Sequence, residues 1–290
     1  MSRQPSISVV IPTRNRRRVL ADTLAALDAQ RSLAGRFEVI VAVDGSSDDT
    51  LEWLGAARFS GFDLEILALD AGGPARARNR GVKRARARRV LLLGDDTSPE
   101  PETLAAHLED GGDRELAVQG LIDWDPSQPV TEVMEYLAPE GPQFYFKGLE
   151  AGRDVPFSAV LGSNLSAPVE WLLTEPFDEE FTEACFEDTE LAWRWRRRGW
   201  TTIFSPRARC LHRHRYDTIE PFLERQQRAG WWARKAVAAH PGMLSRVALQ
   251  PIAFSVVSAL RLVVMRRPRD HWDLQCRLAF ARGFLFGRPA

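Results

Sequence analysis

Lysine is nearly missing from this chain. Lys83, Lys147 and Lys235 are the only three, so almost all of the positive charge is arginine. Basic and acidic residues balance at 39 each, and without a basic excess the surface as a whole does not suit nucleic acid. Cysteine is sparse too. Cys185, Cys210 and Cys276 stand far apart with no CxxC pair, which argues against a disulfide framework or a cysteine zinc site and fits a reducing compartment. A long apolar run is lacking. The longest, Val247 to Leu260, is broken by Gln250 and Pro251 and flanked by Arg246 and Arg261, whereas a bilayer span needs roughly 20 apolar residues. The first ten residues carry no charged-then-apolar leader pattern. The expected location is therefore cytoplasmic, with peripheral contact at the cytoplasmic membrane face as a further expectation. No P-loop, no GxGxxG after the first apolar run and no internal repeat is found.

What is present is an alternation of two periods. Short apolar runs of strand length occur at Ser6 to Pro12, Phe37 to Val43, Leu64 to Leu69 and Val90 to Leu93. Between them, Arg16 to Gln30, Asp48 to Ala57 and Pro74 to Ala87 have helical spacing, with Asp48 placed as an N-cap and Pro74 in a first turn where its missing N–H costs little. Continuously apolar strands separated by helices predict an α/β fold with a parallel sheet covered on both faces. Further strands are expected at Leu116 to Ile122, Leu161 to Ala167 and Thr201 to Phe204, with a Pro-, Gly- and aromatic-rich loop region from Asp123 to Pro156. Asp188 to Arg198 reads as a helix closed by Gly199 at C′. Beyond Thr218 the chain reads as helices over Thr218 to Ala239, Met243 to Met265 and Arg269 to Phe286.

Ligands of open α/β sheets sit beyond the carboxyl ends of the strands. The first strand is followed there by Pro12-Thr13-Arg14-Asn15, the second by Asp44-Gly45-Ser46-Ser47-Asp48, and the fourth by Gly94-Asp95-Asp96. Any one of these reads equally well as a turn or a cap; three on one rim read as a site. Adjacent acids repel unless a cation or hydrogen bonds offset the repulsion, and an oxygen-rich pair of this kind suits Mg²⁺ or Mn²⁺. With no glycine-rich phosphate loop, a diphosphate would be held by metal and basic side chains. Arg78, on a different helix face from Arg76 and Arg80, is the candidate. Phe186-Glu187-Asp188-Thr189-Glu190 opens a helix, where acids commonly serve the dipole; the functional reading makes one of them a general base. His212 and His214 follow a strand, and either is available as a further ligand to a divalent ion.

Eight segments in order, SVVIPTRNR (8–16), VDGSSDDT (43–50), ARNRG (77–81), LLLGDDTSPEP (91–101), LGSNLSA (161–167), FDEEF (177–181), FEDTELAWRWRRRGW (186–200) and PRARCLH (206–212), resemble glycosyltransferase family 2. The resemblance covers Ser6 to about Gly230. It implies a GT-A fold: a Rossmann-like mixed, mainly parallel sheet with flanking helices, plus a C-terminal helical region. It implies a catalytic domain over 1–215, with a nucleotide-binding half (1–115) and an acceptor-binding half (116–215), and helices over 216–290. By the same resemblance Pro12, Thr13, Arg14 and Asp44 line the nucleoside pocket and Arg78 lies near the diphosphate. Asp95 points to the donor ribose, and Asp96 binds the metal with His212, which the P-x-A-x-x-x-H spacing prefers to His214. Asp188 is the catalytic base, Glu187 lies near the acceptor, and Asn164 is near the sugar or acceptor.

There are departures. Gly94 replaces the first of three acids, and VDDGS is reduced to Val43-Asp44-Gly45-Ser46. The QxxRW pattern of processive synthases is missing at Gln226 to Trp231, so transfer of a single sugar is expected. The implied donor is a nucleotide sugar, with UDP ahead of dTDP and GDP. The implied acceptor is a saccharide, a lipid-linked saccharide or another hydroxyl compound. Residues 243–290 are expected either to close over the acceptor or form a homodimer contact, or to lie on a membrane through Arg261, Arg266, Arg267 and Arg269. Two other classes stand beside it: a nucleotidyltransferase, which would need a G-x-G-[ST]-R loop after the first strand, and a nucleotide-sugar-binding protein without transferase activity.

Overall fold

The structure, a computed structural model, describes residues 4–33, 36–112, 114–249 and 268–287. The chain forms two compact units, Met1–Val130 with Leu137–His214, and Thr131–Tyr136 with Arg215–Ala290.

The first unit is built on one eight-stranded sheet. Its strands are β1 (Ser8–Thr13), β2 (Glu38–Asp44), β3 (Asp63–Leu69), β4 (Arg89–Leu93), β5 (Thr97–Pro99), β6 (Leu116–Trp124), β7 (Asn164–Pro168) and β8 (Thr201–His212), in the spatial order β3-β2-β1-β4-β7-β6-β8-β5. Strands β3, β2, β1 and β4 run parallel, as their apolar runs predict. β2 and β4 are buried along their whole length, and β1 along all but half-buried Pro12. One face of this half packs Val9, Ile11, Val39, Val41 and Leu91 against Leu20, Leu24 and Leu27 of helix α1 (Arg17–Asp28). Each such fully buried side chain contributes about 1.5–3 kcal/mol.

Beyond β4 the direction reverses. β7 is antiparallel to both β4 and β6, while β6 and β8 are parallel to each other. Two reversals restore the sense of β1 and β4, so the carboxyl ends of β6 and β8 return to the rim that carries the ends of β1, β2 and β4. β8 is three times as long as its apolar run predicts, and His212 is its last residue rather than a residue past a strand. The extension passes through an irregularity opposite Gly120 and Ile122. A Cβ on Gly120 would stand 2.2 Å from the Ala208 carbonyl oxygen, so only glycine lets the two backbones approach there.

Helix α2 (Thr50–Ala56) begins later than expected; Asp48 is not its N-cap but accepts from the Thr50 N–H at 3.2 Å and the Thr50 hydroxyl at 2.5 Å. Helix α3 (Pro74–Val82) stops short of Ala87, because the Arg86 and Ala87 N–H groups donate instead to Glu38 Oε1 and Ser8 Oγ as the chain turns into β4. Three helices without a sequence counterpart appear: α4 (Thr103–Gly111), α5 (Glu132–Leu137) inside the expected loop region, and α6 (Val169–Thr174). Helix α7 (Glu187–Arg197) matches its prediction to within a residue, with Gly199 at φ +78° beyond it.

The second unit holds α8 (Glu220–Ala239) and α9 (Pro268–Phe286), packed on one another, with Trp232, Ala233, Ala236 and Cys276 buried. Short 3-10 and π turns at Pro241–Met243 and Ser245–Leu249 occupy the start of the helix expected over Met243 to Met265; the rest of that span, with Arg261, Arg266 and Arg267, lies outside the described residues. Among the described residues no helix is long and apolar enough to cross a membrane.

Candidate active site

The site grows from the carboxyl ends of β1, β2 and β4. Asn15, just past β1, adopts φ +54°, a left-handed conformation that asparagine tolerates, and its Oδ1 accepts from the Ser47 N–H at 2.7 Å. This bond ties the turn after β1 to the turn after β2. Pro12 and Arg14 flank Thr13 on that turn, with Pro12 half-buried and Arg14 exposed. Asp44 ends β2. Its two carboxylate oxygens accept from the N–H groups of Gly72 (2.7 Å) and Gly73 (2.9 Å), so it organises the turn that opens α3. Gly73 sits at φ +89°, and a Cβ there would meet the Thr182 carbonyl oxygen at 2.4 Å. The turn between β3 and α3 and the segment before α7 are therefore packed against each other at a position only glycine can fill.

Asp95 and Asp96 follow β4. Thr13 Oγ1 donates to Asp95 Oδ2 at 2.8 Å, and the Thr23 hydroxyl donates to the Asp95 carbonyl at 2.8 Å. Arg16 bridges the two acids, with Nη1 2.8 Å from Asp95 Oδ1 and Nη2 2.8 Å from Asp96 Oδ2. Burial and the neighbouring Asp96 charge push the Asp95 carboxyl up to about 6, against Arg16 and the Thr13 bond. Burial acts on Asp96 in the same direction, but His212 and Arg16 outweigh it and hold Asp96 well below the usual carboxylate range. His212 Nδ1 lies 3.5 Å from Asp96 Oδ1 and 3.3 Å from the Asp96 carbonyl oxygen. The imidazole is stacked on Trp124 at 5.5 Å and meets the Phe144 ring edge-on at 5.2 Å. β6 and β8 end side by side, with Trp124 paired to His212, which brings both residues to this rim.

A second group forms at the start of α7. Phe186 precedes the helix at φ +76°, a left-handed conformation unusual for a bulky residue and a mark of local strain. Glu187 and Arg78 form a buried ion pair at 2.7 Å, their side chains 3% and 6% exposed. Arg78 also lies over the Phe177 ring at 5.3 Å. Burial and the adjacent Asp188 raise the Glu187 carboxyl, and Arg78 opposes them. Asp188 is half-buried; it accepts from the Gly162 N–H at 3.1 Å through Oδ2 and from the Thr189 N–H at 2.8 Å through Oδ1.

The two groups meet across two residues. Gly162 donates its N–H to Asp188, and the next residue, Ser163, accepts the Gly94 N–H at 3.1 Å, one residue before Asp95. Thr13, Asp95, Asp96, His212, Arg78, Glu187 and Asp188 thus lie around a single rim. Two expected contacts stand differently. Asn164 is fully buried: its Oδ1 pairs with His107 Nε2 at 2.8 Å, and its Nδ2 donates to the carbonyls of Leu121 and Ala208 at 3.1 and 2.8 Å. Asn164 lies at the rim end of β7, opposite Leu93, but its amide is spent on these interior partners rather than left open for a ligand. Arg78 is committed to Glu187 rather than projecting as an open cation. Removing Arg78 alone leaves a buried carboxylate unpaired, which costs about 3–5 kcal/mol. Arg78→Met is therefore expected to lower the urea midpoint strongly, and the double variant Arg78→Met/Glu187→Leu to recover much of that loss.

Asp96 and His212 supply one carboxylate and one imidazole, an oxygen–nitrogen donor set that fits Mg²⁺ or Mn²⁺ with vacant coordination left for phosphate oxygens. Among the described residues no cluster of three or more His, Cys, Asp or Glu is arranged to hold a metal.

The sequence profile described as Glycosyl transferase family 2 matches residues 8–153, half of the chain. The chain belongs to glycosyltransferase family 2. It is 28% identical over 231 residues to the chondroitin synthase of Escherichia coli, covering 67% of this chain and 32% of that protein. It is 30% identical over 220 residues to the validoxylamine A glucosyltransferase of Streptomyces hygroscopicus subsp. jinggangensis (strain 5008), covering 67% of this chain and 52% of that protein. The chain thus spans about a third and about half the length of these two curated relatives. Among solved structures, the mannosyltransferase PcManGT from Pyrobaculum calidifontis, in complex with GDP-Man and Mn²⁺, superposes with a TM-score of 0.66 at 18% identity over 99% of this chain and 89% of its own. TarS 1-349 of S. aureus in complex with UDP superposes with a TM-score of 0.53 at 18% identity, over 96% and 90% of the two chains. At that identity the likeness is one of fold, and the fold is GT-A, with helices at the C-terminus.

Proposed function

We propose that this family 2 glycosyltransferase moves a single sugar from a nucleotide diphosphate sugar to an acceptor hydroxyl with inversion at the anomeric carbon. The observation that carries the proposal is the placing of the Asp96–His212 pair and Asp188 on either side of the Gly162–Ser163 segment. One pair can hold the diphosphate end of a donor while the other carboxylate faces the reacting carbon.

In this reading Thr13, Arg14 and Asp44 border the nucleoside, Asp95 the ribose, and Asp96 with His212 would hold Mg²⁺ or Mn²⁺. Asp188 takes the proton of the acceptor hydroxyl as its oxygen bonds to the anomeric carbon and the bond to the donor phosphate breaks. The Gly162 and Thr189 N–H groups hold the Asp188 carboxylate in place. The Glu187–Arg78 pair fixes the first turn of α7 from within, so Glu187 and Arg78 act as positioning residues. The cation, when bound, neutralises charge on the departing diphosphate. Arg16 anchors the outer oxygens of both Asp95 and Asp96 and leaves Asp96 Oδ1 towards His212.

UDP is the favoured nucleotide, with dTDP and GDP as alternatives; structural neighbours solved with UDP, UDP-GlcNAc and GDP-Man support a nucleotide-sugar donor. The acceptor is a saccharide, lipid-linked or other hydroxyl compound. A thermal-shift screen of nucleotide sugars with Mn²⁺ tests the donor. The cognate donor is expected to raise the melting temperature, since 100-fold saturation adds about 2.7 kcal/mol, and EDTA is expected to abolish the rise. No shift with any nucleotide sugar would count against the proposal. Stereochemistry follows from NMR of the product of the donor so identified.

A further inference from the structure

Gln143 is buried beside His212, 8% exposed, in the aromatic stretch between β6 and β7. Its Nε2 lies 3.3 Å from His212 Nε2, and among the described residues its Oε1 is buried without a hydrogen-bond partner. A neutral imidazole carries one N–H, and only its other nitrogen can hold a cation. The nitrogen facing Asp96 is Nδ1. A ligand role there requires the proton on Nε2, and a proton on Nε2 requires an acceptor. A half-turn of the Gln143 amide exchanges its nitrogen and oxygen. It brings Oε1 to Nε2 as an acceptor and carries the amide nitrogen to the place where Oε1 has no partner.

We propose that Gln143 is a positioning residue that accepts the Nε2–H of His212 and so presents the Nδ1 lone pair to the cation beside Asp96. The opposite amide orientation supports the other tautomer, in which Nδ1–H donates to the Asp96 carbonyl and Nε2 accepts from the Gln143 amide. Passing between the two removes one proton from Nδ1 and adds one to Nε2, with no net change. Trp124 and Phe144 hold the ring plane in both, so the amide selects the tautomer without moving the imidazole. The inference rests on the reading of Asp96 and His212 as the cation pair.

The test uses the full chain with UDP. Free Mn²⁺ is followed by electron paramagnetic resonance for the wild type, Gln143→Met and Gln143→Glu, and the His212 tautomer is read by nitrogen-15 NMR with Mg²⁺. The wild type is expected to carry the proton on Nε2. Gln143→Met, of similar size but without an acceptor oxygen, is expected to weaken Mn²⁺ binding about 10- to 100-fold, the usual range for an outer partner of a histidine ligand. Gln143→Glu, which still accepts from Nε2, is expected to bind as tightly as the wild type or tighter. Equal affinity of Gln143→Met and wild type, or a wild-type proton on Nδ1 with Mg²⁺ bound, overturns the inference and leaves the cation pair standing. Failure of the wild type to bind Mn²⁺ overturns both. The wild-type tautomer decides the matter should Gln143→Met not fold.

Discussion

Asp188→Asn is expected to lower the transfer rate by about 10²- to 10⁴-fold, the range associated with a positioned general base, while donor affinity stays at the wild-type value. The two halves of this expectation come from different contacts. Among the described residues the Asp188 carboxylate accepts the Gly162 and Thr189 N–H groups on separate oxygens, and an asparagine of the same shape keeps one of these two acceptors. The start of α7 is held mainly by Glu187 and Arg78, which the substitution leaves in place. The variant should therefore fold, bind nucleotide with Mn²⁺ and fail at proton removal. Quenched single-turnover assays with the cognate donor and acceptor measure the loss, and calorimetry measures the affinity. A variant that transfers at the wild-type rate would remove Asp188 from the role of base.

Asp96→Ala gives the second large effect and a different signature. Cation stabilisation of a leaving diphosphate is worth several kcal/mol, so its loss corresponds to about 10³-fold or more in rate, and here donor binding falls as well. The fold should persist, because Arg16 keeps its bond to Asp95 and Thr13 keeps Asp95 in place. The check is the nucleotide-dependent rise in melting temperature with and without Mn²⁺: the wild type should show a metal-dependent part and Asp96→Ala should not. Retention of that part in Asp96→Ala would place the cation elsewhere. The contrast between the two variants is itself informative, since a general loss of structure would weaken donor binding in both.

Within the parallel half, β1, β2 and β4 were legible because they are buried on both faces and so read as nearly unbroken apolar runs, whereas β3 at the sheet edge is only partly buried. Helix α7 was legible from its acidic first turn and terminal Gly199. The far half was less so. β5 is three residues long and exists through its pairing with β8. The outer part of β8 carries Arg207 and Arg209, which look like loop residues until Glu109, Asp110, Glu100 and Asp123 appear opposite them. Helices α4 and α6 lie where no strong period breaks the pattern.

The site divides in the same way. Acids at strand ends announce themselves, because water-exposed loops rarely need two adjacent carboxylates after an apolar strand. Arg16 does not, being one of many arginines; only the fold shows that it bridges both acids. Gln143 is hidden in a stretch rich in Pro, Gly and aromatics, with nothing local to link it to a histidine almost seventy positions away. Asn164 is harder to read: it sits at the rim end of β7, and the inward turn of its amide depends on His107, Leu121 and Ala208, none of which is written in LGSNLSA. Arg78 shows the limit of residue type: a guanidinium near a phosphate site and a guanidinium buried on a glutamate look alike in sequence.

The proposed function requires a divalent cation held by Asp96 and His212 beside the donor diphosphate, across the Gly162–Ser163 segment from Asp188. Anomalous scattering at the manganese edge, from crystals grown with UDP and Mn²⁺, tests it most directly. One strong peak is expected, bonded to Asp96 and His212 and to phosphate oxygens of UDP, with Asp188 facing the open side of that diphosphate. UDP bound on this rim with no peak at Asp96, or manganese and nucleotide together at another place, would contradict it.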